Sequence, residues 1–335
     1  MSEMITLSLA ETHELATRCL RNSGASDEQA RAVADTVTDA ERDDCKSHGL
    51  FRIPGFCASL KSGKVTGDAV PVVHDLAPAV VKVDAQNGFA PLALEVGAQP
   101  LADKARSQGI AALAVTDSYH FSALWPEVER LTDMGLVAFA FVSAKSFVAP
   151  AGGIEPLYGT NPMAFGWPRE NAPGVIFDQA ASASARGEIQ LHERDGKLIP
   201  DGWAIDADGK PTNDPTAALA GAQLPFGGHK GAAIAMMIEL LAGSLIGDVL
   251  SFEATANDPP DGGPSSGGEF MIAIDPARCG QSGNGALAHA ETLFSRILEQ
   301  DGTRLPSTRR YEARLRTPET GITVVPSLYE TLQQL

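Results

Sequence analysis

The sequence predicts an α/β layered fold, and three observations carry that prediction. Short runs rich in β-branched residues at 79–84, 110–115 and 136–142 alternate with helical patterns at 91–107 and 122–134, the strand–helix alternation of an α/β structure. Helical patterns dominate before about residue 70 and return at 286–300. No GxGxxG follows a strand and no GxxxxGK-Ser/Thr frame occurs, so the chain carries neither a Rossmann fingerprint nor a P-loop. We therefore expect residues 1–70 and 286–335 to form a helical substructure beside an α/β region at 71–285.

Each element has a local reason. Residues 6–22 read as a first helix that Gly24 ends. Ser26-Asp27-Glu28-Gln29 is a capping box, and Ala30, Val33, Ala34, Val37 and Ala40 give the apolar stripe of a helix to about Asp43. Pro54 fits the first position of the next helix and Gly63 its C′ cap. Ile53 precedes proline and is biased away from helix, which leaves His48 and Arg52 on a turn. Pro71 cannot donate to a ladder, so 70–73 is an edge strand at best. Ile176-Phe177-Asp178 reads as a strand ending in a carboxylate, and 192–215 as a polar surface excursion anchored by Trp203. Ala232 to Ile246 is apolar nearly all round, the pattern of a buried helix. Residues 256–268 read as a flexible loop and a candidate lid, 270–275 as a strand and 286–300 as an amphipathic helix.

Composition narrows the function. A net charge of −16 argues against nucleic acid or an acidic membrane surface as the partner, since both demand a basic face. An anionic ligand then needs a locally basic pocket, which makes Lys230 and the Arg304, Arg309, Arg310 group informative. Cys19, Cys45, Cys57 and Cys279 show no zinc spacing, so reduced structural thiols and no metal are expected. The first 20 residues carry charges and no signal-like apolar run, so the cytoplasm is the expected compartment.

Five stretches are candidates for chemistry. Ser47-His48-Gly49-Leu50-Phe51-Arg52 places a proton-transfer side chain four residues from a fixed cation. Histidine exchanges protons near pH 7, and arginine grips a carboxylate through two parallel hydrogen bonds. The pair suits a small carboxylate substrate that must be protonated at a neighbouring atom; a helix cap with a solvated charge is the bland alternative. His120-Phe121-Ser122 lies where a strand hands over to a helix, with Ser122 as candidate N-cap, and suits a phosphate or nicotinamide contact or a structural cap. Gly227-Gly228-His229-Lys230-Gly231 opens a helix as a candidate anion site, or supplies glycines for packing. Arg304 to Arg310 holds three guanidinium groups suited to a ribose 2′-phosphate, or is a solvated basic loop. Ser182 to Glu188 is small and polar, open to a flat ligand or simply a surface turn.

Taken together, Ser47-His48-Gly49 with Arg52, Gly159-Thr160-Asn161-Pro162 and Gly227-Gly228-His229-Lys230-Gly231 resemble the malate/L-lactate dehydrogenase type-2 family across essentially the whole chain. Within it, His48 to Gly55, His120 to Pro126 and Arg304-Leu305-Pro306 with Arg309-Arg310-Tyr311 look most similar to the NADPH-dependent Δ1-piperideine-2-carboxylate/Δ1-pyrroline-2-carboxylate reductases. The resemblance implies a homodimer with a non-Rossmann NADP-binding mixed sheet at 71–285, and a helical part that contributes the catalytic histidine and dimer contacts. It implies His48 as proton donor, Ser47 and Glu188 as its relay partners, and Arg52 and Thr160 as substrate contacts. It implies cofactor contacts at His120, Phe121, Ser122, Ala123, Leu124, Asp178, Gln179, Ala180, Arg186, Gly187, His229, Lys230, Arg304, Arg309 and Arg310. The family pattern carries Asp where this chain has Glu188.

The activity so implied is NADPH-dependent reduction of cyclic 2-imino acids, Δ1-piperideine-2-carboxylate to pipecolate and Δ1-pyrroline-2-carboxylate to proline. Hydride goes to the imine carbon and the proton comes from His48. An NAD(P)-dependent 2-hydroxy-acid dehydrogenase of malate or lactate type is the alternative, with the same histidine protonating a carbonyl oxygen. A non-catalytic carboxylate-binding protein is the third reading.

Overall fold

The computed structural model describes residues 4–259, 261–280 and 285–335. The chain begins with β1 (Ile5–Leu7), α1 (Leu9–Asn22), α2 (Asp27–Arg42), two 3₁₀ turns (Lys46–His48 and Leu50–Arg52) and α3 (Ile53–Lys61). Next come β2 (Val72–Ala77), β3 (Val80–Phe89), α4 (Ala90–Gln108), β4 (Ile110–His120), α5 (Trp125–Asp133), β5 (Val137–Val142), β6 (Met163–Trp167) and β7 (Val175–Gln179). An excursion holds α6 (Arg186–Arg194), β8 (Ala204–Ile205), β9 (Pro211–Thr212), α7 (Pro215–Ala220) and β10 (Ala222–Gln223). The chain closes with α8 (His229–Glu239), a π-helical turn (Leu240–Ser244), α9 (Ser251–Asn257), β11 (Ser265–Ser266), β12 (Glu269–Ile274), α10 (Pro276–Cys279), α11 (Gly285–Leu298), α12 (Thr308–Thr320), β13 (Ile322–Val324) and α13 (Pro326–Gln333).

The first expected helix starts later than its apolar pattern suggests. Ser8 forms a complete capping box with Glu11, which begins α1 at Leu9. Ile5-Thr6-Leu7 pairs instead with Ile322–Val324 as an antiparallel ribbon. The capping box at Ser26 is only half made. Ser26 Oγ accepts from Gln29 N–H, but the Gln29 side chain turns inward to Ala69 O and Phe89 N. Ile53 is helical despite the proline that follows it, held by complete burial in the N-terminal core. Gly63 takes the positive φ of a C′ cap.

The sheet is mixed, in the order β2-β3-β4-β12-β5-β6-β7, with β11 added on β4. Only β3 and β4 pair in parallel; the other pairs are antiparallel. β4 and β5, joined by α5, are not neighbours, because β12 returns from late in the chain and inserts between them. Helices α4 and α5 pack on one face, burying Leu101, Leu113, Val128, Leu131 and Ala138 in the main core. A second core joins α1, α2 and α3 to β13 and α13 through Leu15, Leu20, Leu50, Ile53, Phe56, Ile322 and Leu332. The segment 286–335, expected to lie wholly with residues 1–70, divides. Phe294 and Leu305 pack on Val175 of the sheet, and the N-terminal core gains Ile322, Val324 and Leu332.

One expectation about burial fails. The helix read as buried is α8 with its π-helical continuation, and Met236, Met237, Leu240 and Leu245 lie exposed along it. An all-round apolar pattern marks burial against something, and in a single chain one side of this helix has nothing against it.

Candidate active site

The turn that carries His48 and Arg52 is fixed from α2. The Glu41 carboxylate is buried and accepts the Leu50 N–H at 2.8 Å. A Cβ on Gly49 would sit 2.1 Å from Glu41 Oε1. The glycine between His48 and Leu50 is therefore a close-approach residue that lets an acid hold the backbone of the turn. Arg52 ties the turn to itself, its Nε donating to Ser47 O at 2.6 Å.

His48 and Arg52 open into a cavity of about 500 Å³. The Arg52 guanidinium stacks on the Phe121 ring at 4.2 Å. It has no carboxylate partner among the described residues, and burial alone lowers it to about 10. A desolvated cation of this kind calls for an anionic ligand. His48 Nδ1 lies 3.1 Å from Ser47 Oγ. Burial first, then the Arg52 and His120 charges, lowers His48 to about 4, so the ring is neutral at pH 7 in the ligand-free chain. A carboxylate on Arg52 removes the second of those causes and pushes the His48 pKa back up.

The same cavity gathers most of the expected contacts. Thr160, His120, Phe121, Ser122, Ala123, Leu124, Asp178, Gln179, Ala180, Arg186, Gly187 and Arg310 all line it with Ser47, His48 and Arg52. Ser122 does not cap α5, because that helix starts at Trp125. Asp178, from the end of β7, does so instead, accepting Leu124 N–H at 2.8 Å and Trp125 N–H at 3.3 Å. Arg186 stacks on Phe147 at 4.0 Å and donates to Leu219 O. Arg304, Arg309 and Arg310 border an adjoining cleft of about 460 Å³, which shares Cys45, Asp178 and Arg310 with the main cavity. None of the three makes an ion pair with an acidic side chain among the described residues. The cleft thus carries three guanidinium groups beside Asp43, Asp44 and Asp178.

Three expected residues are not brought in. The Glu188 side chain is about half exposed and faces His192 at 3.7 Å, one helical turn along α6. It makes no hydrogen bond to His48, because the first turn of α6 presents Gly187 to Arg52 and leaves Glu188 on the outer side. His229 and Lys230 are exposed at the start of α8 and line neither cavity.

Residues 7–333 match the malate/L-lactate dehydrogenase family. The chain belongs to that family. A Δ1-pyrroline-2-carboxylate/Δ1-piperideine-2-carboxylate reductase of Pseudomonas aeruginosa is 55% identical over 333 residues, 99% of each chain. A Δ1-pyrroline-2-carboxylate reductase of Ancylobacter novellus is 52% identical, over 100% of this chain and 98% of its own. The crystal structure of Δ1-piperideine-2-carboxylate reductase from Pseudomonas syringae superposes with a TM-score of 0.94 at 44% identity, covering 98% of this chain and 99% of the other.

The malate/L-lactate dehydrogenase scaffold also uses residues that sequence reasoning passed over. Glu41 holds the turn of His48 and Arg52, and its signal was the glycine opposite it. Glu239 of α8 holds the Gly159-Thr160-Asn161-Pro162 loop: its Oε1 accepts from Asn161 Nδ2 at 2.7 Å and from Ser251 Oγ. Asn161 has a φ of +39°, a conformation asparagine tolerates better than most side chains. The candidate lid is pinned rather than flexible. Lys64, with 4% of its side chain exposed, bridges Asp258 and Asp261, and β11 pairs with β4 at Tyr119 and His120. The Gly263 backbone lies against Gly55 and Ser59. Pro260, in the same stretch, lies outside the described residues.

Gly49→Ala should displace Glu41 and strand the Leu50 N–H, at a cost of about 1–3 kcal/mol. Thermal unfolding should show a fall in Tm of about 1–4 °C. Glu41→Gln, which keeps an oxygen acceptor for Leu50 N–H, should lose much less.

Proposed function

We propose that this chain is an NADPH-dependent reductase of cyclic 2-imino acids, converting Δ1-piperideine-2-carboxylate to pipecolate and Δ1-pyrroline-2-carboxylate to proline. The observation that carries the reading is Arg52, a desolvated guanidinium without a carboxylate, beside a neutral histidine in one cavity. The names and near-complete coverage of the relatives point to the same substrates. Arg52 takes the substrate carboxylate in two hydrogen bonds, and Thr160 lines the same cavity. That binding neutralises Arg52 and lets His48 hold the proton that the ring nitrogen receives. Ser47 steadies the imidazole through Nδ1. Glu188 enters this scheme only if its side chain turns inward.

NADPH, when bound, supplies the hydride. The residues present fit it: the cleft of Arg304, Arg309 and Arg310 offers three unpaired cations to a 2′-phosphate, and it opens directly onto the cavity of His48. His120, Leu124, Gln179 and Ala180 line the stretch between. The protein's part is to orient two small molecules and to move one proton.

A homodimer fits the exposed face of α8 and its continuation, where Met236, Met237, Leu240 and Leu245 lie exposed. Pairing there would give His229 and Lys230 a route to a cofactor that their own chain's cavity does not offer. The cytoplasm is the compartment we propose, in keeping with four unpaired cysteines. No described helix is long and apolar enough to cross a membrane.

NADPH oxidation should be fast with the two cyclic imines and slow with pyruvate or oxaloacetate without amine. His48→Ala should lower turnover of the imines by roughly 10²–10⁴-fold. Turnover of the plain 2-oxo acids with the imines inert would move the chain to the hydroxy-acid reading. Neutralising Arg309 and Arg310 together should weaken NADPH far more than NADH in titrations; equal effects on both would remove the 2′-phosphate assignment. Met236→Asp with Leu240→Asp should convert a dimer to a monomer in analytical ultracentrifugation, and an unchanged mass would exclude this face.

A further inference from the structure

Behind the cavity wall lies a group of titratable side chains that the reaction as described does not use. His120 Nε2 is 3.0 Å from Glu127 Oε1 on α5 and 3.5 Å from Glu269 Oε2 on β12. An oxygen of each carboxyl group and the ring nitrogen all lie within 4.8 Å of one another. Both Glu269 oxygens and Glu127 Oε2 are enclosed with no hydrogen-bond partner among the described residues, and Glu269 has no exposed surface at all. Two ionised carboxylates do not persist face to face in such a place. As carboxylic acids they do, with Glu269 O–H donating to Glu127 and Glu127 O–H donating to His120 Nε2.

The charges around the cluster agree with this. Burial pushes Glu127 up to about 8 and Glu269 well above the usual carboxylate range, and burial lowers His120. Asp178 on β7 reinforces the rise of Glu127, and Arg130 on α5 opposes it. Arg310 acts on Asp178 from the far side. At pH 7 the Glu127 carboxyl group keeps its proton, and burial favours the neutral forms of Glu269 and His120 as well.

Their position gives them a use. Glu127 lines a small second cavity of about 40 Å³ with Arg130, Thr36 and Pro91. That is room for a few water-sized sites. His120 lines the main cavity, and its Nδ1 has no protein partner among the described residues. The cluster thus spans the wall between an outer cavity and the one that holds His48. Each reductive turnover consumes one proton.

We propose that Glu269, Glu127 and His120 form a proton path through this wall, which refills the cavity of His48 from the outer cavity between turnovers. The proposal rests on the reading of His48 as the proton donor. For each proton delivered, the Glu127 O–H bond breaks and an N–H bond forms at His120 Nε2, while the Nδ1 proton leaves for the cavity. Solvent in the outer cavity returns a proton to Glu127, and a flip of the ring turns the protonated nitrogen toward the cavity and the bare one toward Glu127, ready for the next transfer. Glu127 and Glu269 touch no reacting atom; they are positioning residues that act through His120.

Infrared spectroscopy of the wild-type protein should show the carbonyl stretch of a protonated carboxylic acid at pH 7. The band should fade as the pH rises through about 8. It should weaken in Glu127→Gln and in Glu269→Gln. Absence of the band from the wild type would overturn the proposal, whatever the chain's substrate. So would a stoichiometric divalent ion that Glu269→Gln loses. In steady-state reduction of Δ1-pyrroline-2-carboxylate by NADPH, Glu127→Gln should lower kcat by at least about tenfold with KM within about twofold. The fall of kcat above about pH 8 should vanish with it, because the acid form is the working form. Glu127→Asp should restore part of the rate. A folded Glu127→Gln enzyme with wild-type kcat and pH profile would show that no proton passes this way. If no cyclic imine is reduced, the infrared measurement still decides whether the cluster holds its protons.

Discussion

Arg52 is a guanidinium held away from water, with a backbone carbonyl and an aromatic face for company. Leaving such a charge without a counter-ion costs stability, and the surroundings carry that cost. The Glu41 carboxylate fixes the backbone of the turn, Gly49 makes room for it, and Phe56, packed edge-on to Phe89 and tilted against Phe121, backs the wall. The second core, between the N-terminal helices and the last strand and helix, is the platform on which that turn rests.

The acidic character of the chain sharpens the effect. With a net charge of −16, an anionic substrate is repelled by most of the surface. The three arginines of the adjoining cleft and Arg52 border two cavities that share Cys45, Asp178 and Arg310, so they offer local attraction beside His48. Arg314, by contrast, is fully committed to Asp43 and Glu129 and serves to tie α12 to α2 and α5. Paired and unpaired arginines in this protein do different work, and pairing rather than count separates them.

Much of the site was legible because its parts are local. The His48–Arg52 turn, the Thr160 loop and the arginine segment each lie in one short stretch whose glycine, proline or asparagine betrays special backbone geometry. The strands at 110–115 and 136–142 were legible for the same reason. What stayed hidden is non-local. Nothing near β4 announces that β12 will come between it and β5, because strand order depends on pairing energies across more than 100 residues. Capping of α5 by Asp178 from another strand could not be read from Ser122, which sits at the expected place with the expected chemistry. Period alone could not tell that α8 is apolar toward an open side, since burial in a core and burial in an interface leave the same pattern. Glu188 illustrates the limit of carrying a role by position: one residue along a helix turns a side chain by about 100°, enough to send it away from the cavity that Gly187 faces.

The proton balance of the site follows from the same low dielectric that makes Arg52 effective. A histidine lowered to about 4 is a poor proton reserve, so a donor that is neutral before substrate arrives must be charged during each cycle. Two ways of charging it are open: directly from solvent through the cavity mouth, or from groups in the wall that keep protons at neutral pH. The first competes with exclusion of water, which strengthens the Arg52–carboxylate contact. The second brings protons through the wall and needs no wider opening of the cavity to water. Glu127 and Glu269 are the groups in this wall whose burial makes them hold protons where ordinary carboxyl groups do not, and His120 is the side chain that faces both them and the cavity. A pinned loop over the mouth and a proton supply through the wall are then two consequences of one requirement, a dry site that must nonetheless be protonated once per turnover.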